Sequence, residues 1–280
     1  DTHTNIVQIE KNWQVIFEDK TTSLELKADH SALIMKQIWD FSQTVDIDDV
    51  KEILDRQITC NMAIANEGIH NSYGANIGHV ILNMDSDCVK TRAKAYAAAG
   101  SDARMNGCEL PVVINSGSGN QGITCCVPVV VYAKELDCTQ EQLYRALVLS
   151  NLTAIYIKTG IGTLSAFCGA VSAGAAAGAG IAYLHNGTYK EIQHTIVNAL
   201  AILSGTICDG AKASCAAKIA SSVDAGIMGY YMYKNKQQFY AGDGIVAHSV
   251  DETIQNIGTL GSQGMLQTND KIIEMMISCD

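Results

Sequence analysis

Cys168, Cys208 and Cys215 are the side chains of this 280-residue chain best suited to unusual chemistry. Cys168 stands before a Gly/Ala run, while Cys208 and Cys215 bracket Asp209, Gly210 and Lys212. Thiolates suit soft centres such as zinc, copper(I) and iron–sulfur clusters. Gly169, Gly174, Gly178 and Gly210 let backbone amides come close to such a group. Three thiolates rather than four leave one corner of a metal centre open, as catalytic sites do. The spacing matches neither a zinc finger nor a ferredoxin run. Free cysteine is also among the most buried residue types, so packing between tightly apposed helices is the other reading of these three.

Two further stretches could bind a small anion. Asn115-Ser-Gly-Ser-Gly-Asn-Gln-Gly122 runs into the apolar stretch 123–133, which predicts a loop feeding a helix N-terminus. Such a loop offers N–H groups and hydroxyls to an anion. It lacks the lysine of a phosphate-binding P-loop, so a small carboxylate fits better than a nucleotide. An ordinary tight turn with an N-cap serine would use the same residues. Arg104, within Ser101-Asp-Ala-Arg-Met-Asn-Gly107, has the planar fork that suits a carboxylate, or an ion pair with Asp102 or another acid. Lys212 could balance a negative centre or hold a carboxylate, or be a solvated helix lysine. Glu67, His70, Asn71 and Tyr73 fall in a polar stretch read as a loop over 66–78, where they could face a pocket. Cys60, Cys88, Cys108, Cys125, Cys126 and Cys138 read as packing.

Four words occur in order: Ser101-Asp-Ala-Arg-Met-Asn-Gly107, Asn115-Ser-Gly-Ser-Gly-Asn-Gln-Gly122, Cys168-Gly-Ala-Val-Ser-Ala-Gly174 and Cys208-Asp-Gly-Ala-Lys-Ala-Ser-Cys215. Together they closely resemble the L-cysteine desulfidase branch of the iron–sulfur serine dehydratase alpha-chain family, from Asn61 to Leu266. The resemblance implies an oxygen-sensitive [4Fe-4S] lyase that works without pyridoxal phosphate. It maps the cluster ligands onto Cys168, Cys208 and Cys215, and the substrate-carboxylate contacts onto Ser116, Ser118, Asn120 and Arg104. The implied reaction converts L-cysteine to pyruvate, ammonia and hydrogen sulfide. L-serine dehydration on the same cluster differs only in the leaving group. The six residues between Cys208 and Cys215 resemble the desulfidase branch, since the serine branch has a longer gap.

Members of this family carry a further N-terminal segment bearing a cysteine, and this chain shows no counterpart to it. The expectation is therefore a trimmed chain whose catalytic base lies in the missing segment, with Lys212 the one candidate here. An inactive metal-binding fragment is the non-enzymatic alternative. Cys279 is placed to plug the open iron, as a C-terminal cysteine does in some members of the wider family.

The scaffold that must position these residues reads as α+β and predominantly helical. We expect a smaller α/β N-terminal lobe over 1–110 and an Ala/Gly-rich helical core over 111–280 that binds cluster and substrate. The chain is 48% hydrophobic with 24 glycines, which favours helices packed closely through small residues, and only 2 prolines, which leaves those helices largely uninterrupted. Strands are predicted within 5–17, turning near Lys11-Asn12, and over 110–114. Helices are predicted over 31–41, 47–65, 88–105, 123–133, 139–159, 168–185, 188–203, 213–233 and 249–260, then from Asn269 after a break at 261–264.

A formal net charge of −10 with no Lys/Arg cluster argues against nucleic acid and anionic membranes as partners. The uncharged run 161–184 is long enough to span a bilayer. Its Ala, Gly, Ser and Thr drive insertion weakly, and its glycine spacing suits a soluble core equally. Ten cysteines without a regular framework read as reduced thiols in a cytoplasmic protein. Beyond a small amino-acid substrate, L-cysteine or L-serine, the expected partner is a second copy of the chain or the missing segment.

Overall fold

The computed structural model describes residues 6, 8–18, 29–162 and 165–278, which leaves Cys279 outside the described residues. The chain divides into two units, 1–32 and 33–280. The first holds an antiparallel hairpin of β1 (Gln8–Lys11) and β2 (Gln14–Glu18). Asn12 and Trp13 both take positive φ, 52° and 65°, as a two-residue turn needs to match the strand twist. The strands pair Gln8 with Glu18 and Lys11 with Gln14, with a bulge opposite the Ile9–Glu10 step.

The second unit is helical among its described residues. It comprises α1 (Met35–Thr44), α2 (Ile47–His70), α3 (Ile77–Met84), α4 (Val89–Met105), α5 (Gly119–Glu135), α6 (Gln140–Ile161), α7 (Gly169–Leu184), α8 (Tyr189–Ile202), α9 (Cys215–Lys234), α10 (Val250–Thr259) and α11 (Leu266–Ile277). The α+β, predominantly helical class read from the sequence is the class observed. Helix starts follow local chemistry. The Asp46 carboxylate accepts from the Asp48 N–H. Thr139 with Gln142, Thr188 with Glu191, and Ser249 with Glu252 form reciprocal capping boxes.

The Ala/Gly helix α7 is the centre of this unit. Residues 170–182 are all buried, and α5, α6, α8 and α9 surround it. A helix that is apolar on every side must be enclosed in this way. Its small residues let backbones touch. A Cβ on Gly174 would lie 2.3 Å from the Ser222 carbonyl oxygen, and one on Gly226 would lie 2.2 Å from that of Gly174. No described helix is long and apolar enough to cross a membrane. Because the Gly226 contact is backbone on backbone, Gly226→Ala must push α7 and α9 apart. The expected cost is about 2–3 kcal/mol, the upper range for overpacking a tight core. A thermal melt should fall by about 5–10 °C; an unchanged midpoint would show that this crossing has slack.

Several elements differ from expectation: the helix expected over 31–41 is α1, Met35–Thr44, and the one expected over 123–133 starts at Gly119 and holds Pro128 within it. Residues 110–114 are not a strand. Val113 instead exchanges two hydrogen bonds with the Asn61 side chain, N–H to Oδ1 at 2.8 Å and Nδ2 to carbonyl at 3.2 Å. One amide group thus takes the place of a neighbouring strand. The helix predicted over 47–65 runs on to His70, because Gly68 seats against the Ala99 carbonyl, where a Cβ would lie 2.0 Å away. The end of the supposed loop 66–78 is already α3. The glycines after α10 do not break the chain. Leu260–Gly264 forms a π-helical turn that leads into α11, so the last helix starts at Leu266 rather than near Asn269.

Candidate active site

The word around Arg104 ends α4, and the Gly/Ser word opens α5. Within the latter, Asn115 and Ser118 exchange backbone hydrogen bonds of 3.1 and 3.0 Å across Ser116 and Gly117. Both of those residues take positive φ, 49° and 79°. The loop is therefore a tight turn, and Ser118 is the N-cap of α5, its hydroxyl accepting from the Gln121 N–H at 3.4 Å. Asn115 anchors the turn from below. Its side-chain amide donates to Asn151 Oδ1 at 3.0 Å, and Asn151 and Gln57 exchange two 2.8 Å bonds. Ser116 Oγ donates back to Asn115 Oδ1 at 2.9 Å.

Arg104 lies over this turn. Its Nη1 donates to Asn120 Oδ1 at 3.3 Å. Glycine is required at 119, since a Cβ there would lie 2.3 Å from Arg104 Nε and 2.7 Å from Val112. Asp102 is not its partner: that carboxylate accepts from the Gly78 N–H, and burial raises its pKa. Among the described residues Arg104 has no acidic partner. Burial lowers its pKa, and the nearby Cys215 thiol acts in the other direction. The binding candidates Arg104 and Asn120 are thus in contact with each other and beside one of the three cysteines.

The three cysteines occupy a helix N-cap, a loop and a helix start. Cys168 is the N-cap of α7, and Cys215 is the first residue of α9. The Cys208 segment is tied alongside Cys168 by a short antiparallel bridge, Phe167 with Ile207. Cys168 N–H donates to Thr206 O at 3.1 Å and Cys208 N–H to Ala166 O at 2.6 Å. Gly210, at φ 94°, turns the loop so that Cys215 Sγ donates to its carbonyl at 3.5 Å. The α5 start meets the α7 start directly. A Cβ on Gly169 would lie 2.6 Å from the Gln121 side-chain amide, and Gln121 Oε1 is buried without a partner. Ser172 Oγ, one turn further along α7, is also buried and unpartnered.

Cations surround the thiols. Burial pushes the Cys168 thiol up to about 11, partly offset by the Ala170 N–H; the charges of Cys208 and Cys215 push it further and that of Lys218 pulls it back. Lys158, in the last turn of α6, is buried; burial lowers its pKa, and Cys208 and Cys168 act in the other direction. Burial also pulls on Lys218, but its bond to Asp209 and the charges of Cys168 and Cys215 leave it above the usual lysine value. Each thiol therefore has at least one cation within electrostatic reach, and the N-terminal ends of α7 and α9 add partial positive charge. Lys212 is exposed, and its carbonyl accepts from the Cys215 N–H. Among the described residues, no three His, Cys, Asp or Glu side chains close around a single-ion site.

Of the other sequence candidates, His70 is exposed and bonds the Asn66 carbonyl through Nδ1 at 2.7 Å. Tyr73 donates to Glu67 at 2.8 Å, which pushes the phenol up to about 12. Sequence reasoning passed over Lys158, Lys218 and Gln121. Lys158 had a signal: it falls on the buried stripe of α6 with Ala154, Ile157 and Ile161, where a lysine is out of place.

The family model for the serine dehydratase alpha chain matches residues 7–274. A UPF0597 protein of Desulfitobacterium hafniense is 58% identical over 280 residues, covering 99% of this chain and 65% of that protein. UPF0597 proteins of Lachnoclostridium phytofermentans and Finegoldia magna are 52% and 50% identical, covering 99% and 98% of this chain and 67% and 66% of theirs. The chain thus spans about two thirds of the length of the curated relatives it matches. No solved structure matches.

Proposed function

The chain belongs to the serine dehydratase alpha-chain family, and on that premise we propose that it carries the cluster and substrate sites of a [4Fe-4S] L-cysteine desulfidase. The reaction is L-cysteine plus water to pyruvate, ammonia and hydrogen sulfide. The observation that carries this reading is a meeting of parts from distant stretches of chain. Cys168, Cys208 and Cys215 share one region with three cations, and one of these, Arg104, also holds Asn120 of the Gly/Ser turn.

The donor set fits a cluster better than a single ion. A cubane binds each thiolate at a different iron, so its cysteines stand farther apart than the ligands of one ion. At this place Gln121 Oε1 and Ser172 Oγ are buried without a hydrogen-bond partner, polar groups that the protein itself leaves unsatisfied. Cys168, Cys208 and Cys215 would hold the group. When bound, its open iron supplies Lewis acidity. Arg104 and Asn120 bind and orient the substrate carboxylate, the guanidinium supplying charge and direction. Ser116 and Ser118 shape the turn beneath it, and Lys212 lies at the exposed margin. We assign no residue here as the base. The described cysteines are free thiols, which suits a reduced, cytoplasmic setting.

L-serine dehydration is the second reading, favoured by the description of the family itself. Anaerobic reconstitution of the intact protein with iron and sulfide, then assay with each amino acid, separates the two. Sulfide and pyruvate from L-cysteine are expected. Pyruvate from L-serine alone would move the assignment to the dehydratase, and no cluster at all would overturn both.

A further inference from the structure

We propose that Lys158 is the buried counter-charge for an anionic group held by Cys168 and Cys208. The inference rests on the cluster reading above. Lys158 is 7% exposed and lies in the last turn of α6, packed against α7, whose N-cap is Cys168. Lysine is almost never this buried unless it is paired. Among the described residues Lys158 forms no ion pair, and the ionisable side chains that bear on it are the Cys208 and Cys168 thiols.

The other shielded lysines behave differently. Lys94, with its side chain 14% exposed, pairs with Asp85 at 3.0 Å and Asp224 at 3.2 Å. Lys218, 21% exposed, pairs with Asp209. The most enclosed lysine is therefore the one that no carboxylate neutralises. The C-terminal carbonyls of α6 offer it some compensation. Helix-end interactions are a small fraction of the cost of burying a lone charge, so they do not account for its position. A group bound by the thiolates of Cys168 and Cys208 brings negative charge within electrostatic reach of Lys158. The position is then unfavourable in the empty protein and favourable in the loaded one.

That opposition is the test. Lys158→Met keeps the length of the side chain and removes the charge, while Lys158→Arg keeps the charge. The intact proteins are reconstituted anaerobically with iron and sulfide. Two quantities are read: the rate at which a chelator bleaches the visible absorption, and the melting temperature of the cluster-free protein. We expect Lys158→Met to bleach roughly tenfold faster than wild type, given how strongly buried charges depend on their partners. Its cluster-free form should melt at or above the wild-type temperature. Lys158→Arg should bleach close to the wild-type rate. A lower cluster-free melting temperature for Lys158→Met overturns the proposal whatever its bleaching rate, because the side chain is then simply packing. Equal bleaching of Lys158→Met and wild type, or of Lys158→Arg and Lys158→Met, overturns it too. If wild type takes up no cluster, the desulfidase reading falls and this inference with it.

Discussion

Cys208→Ala should abolish the brown cluster chromophore and all turnover while leaving the cluster-free fold almost untouched. Cys208 is half-buried, and its segment is placed by backbone groups, through the Cys208 N–H on Ala166 O and the Phe167–Ile207 bridge. Removing the sulfur leaves those bonds in place. Cys215→Ala should behave alike, because Cys215 Sγ makes one long bond to a carbonyl; Cys168→Ala should lose the chromophore too, but its buried sulfur leaves a small cavity that costs about 1–2 kcal/mol of stability. Loss of one thiolate of three leaves an iron corner unheld, so the effect on the cluster is complete rather than graded. Cys126→Ala is the control. Cys126 is fully buried in α5, where burial raises its thiol well above the usual value, as expected of a packing residue. Its loss should cost about 1–2 kcal/mol of stability through the small cavity it leaves, and no cluster. Absorption spectra, iron content and thermal melts of the four variants decide this. Retention of the chromophore in all three ligand variants would return those cysteines to packing.

The parts of this fold that were legible in the sequence are those fixed by local chemistry. Thr139 and Ser249 announce α6 and α10 through hydroxyl caps, and Asp46 does so for α2. The Ala/Gly composition of α7 predicts an enclosed helix, since nothing in it can face water usefully. Elements fixed by a distant partner were not legible. Residues 110–114 carry a strand-like pattern, yet what satisfies Val113 is the side chain of Asn61, which no periodicity reveals. The extension of α2 past residue 65 depends on Gly68 fitting against the Ala99 carbonyl, again a tertiary fact. The π-helical turn after α10 keeps Gly261 through Gly264 helical where composition reads as a break.

The same distinction runs through the site. Its named words each contributed a residue whose type suits binding, but not the reason they belong together. That reason lies in how four helix ends meet: the last turn of α4 and the first turns of α5, α7 and α9. Lys212 sits between two cysteines in sequence, whereas Lys158 and Lys218 reach the thiols' electrostatic surroundings from a helix end and a helix start. Adjacency in sequence selected an exposed lysine, and packing selected two shielded ones.

Arg104→Met should raise the Michaelis constant for L-cysteine far more than it lowers kcat, and should leave the cluster spectrum in place. The guanidinium is half-buried and lacks an acid among the described residues, so a bound carboxylate would be its first full counter-ion. Its bond to Asn120 Oδ1 at 3.3 Å, with a long contact to Met105 Sδ at 3.9 Å, fixes its orientation without satisfying its charge. Hydrogen bonds to a charged group are worth about 1.5–3 kcal/mol, which converts to a loss of roughly 10- to 100-fold in kcat/KM. Arg104→Lys should recover only part of this, because an ammonium keeps the charge but cannot present two parallel donors. The ligand-free protein should be no less stable in the Met variant, since a half-buried cation without a partner contributes little to folding. Steady-state kinetics with L-cysteine and a thermal melt separate the two roles. A large drop in melting temperature with an unchanged Michaelis constant would make Arg104 a strut of the Gly/Ser turn, leaving the carboxylate to Ser116, Ser118 and Asn120. If instead the constant rises and stability holds, the absence of an acidic partner beside Arg104 is the signature of a site shaped for a ligand that brings its own negative charge.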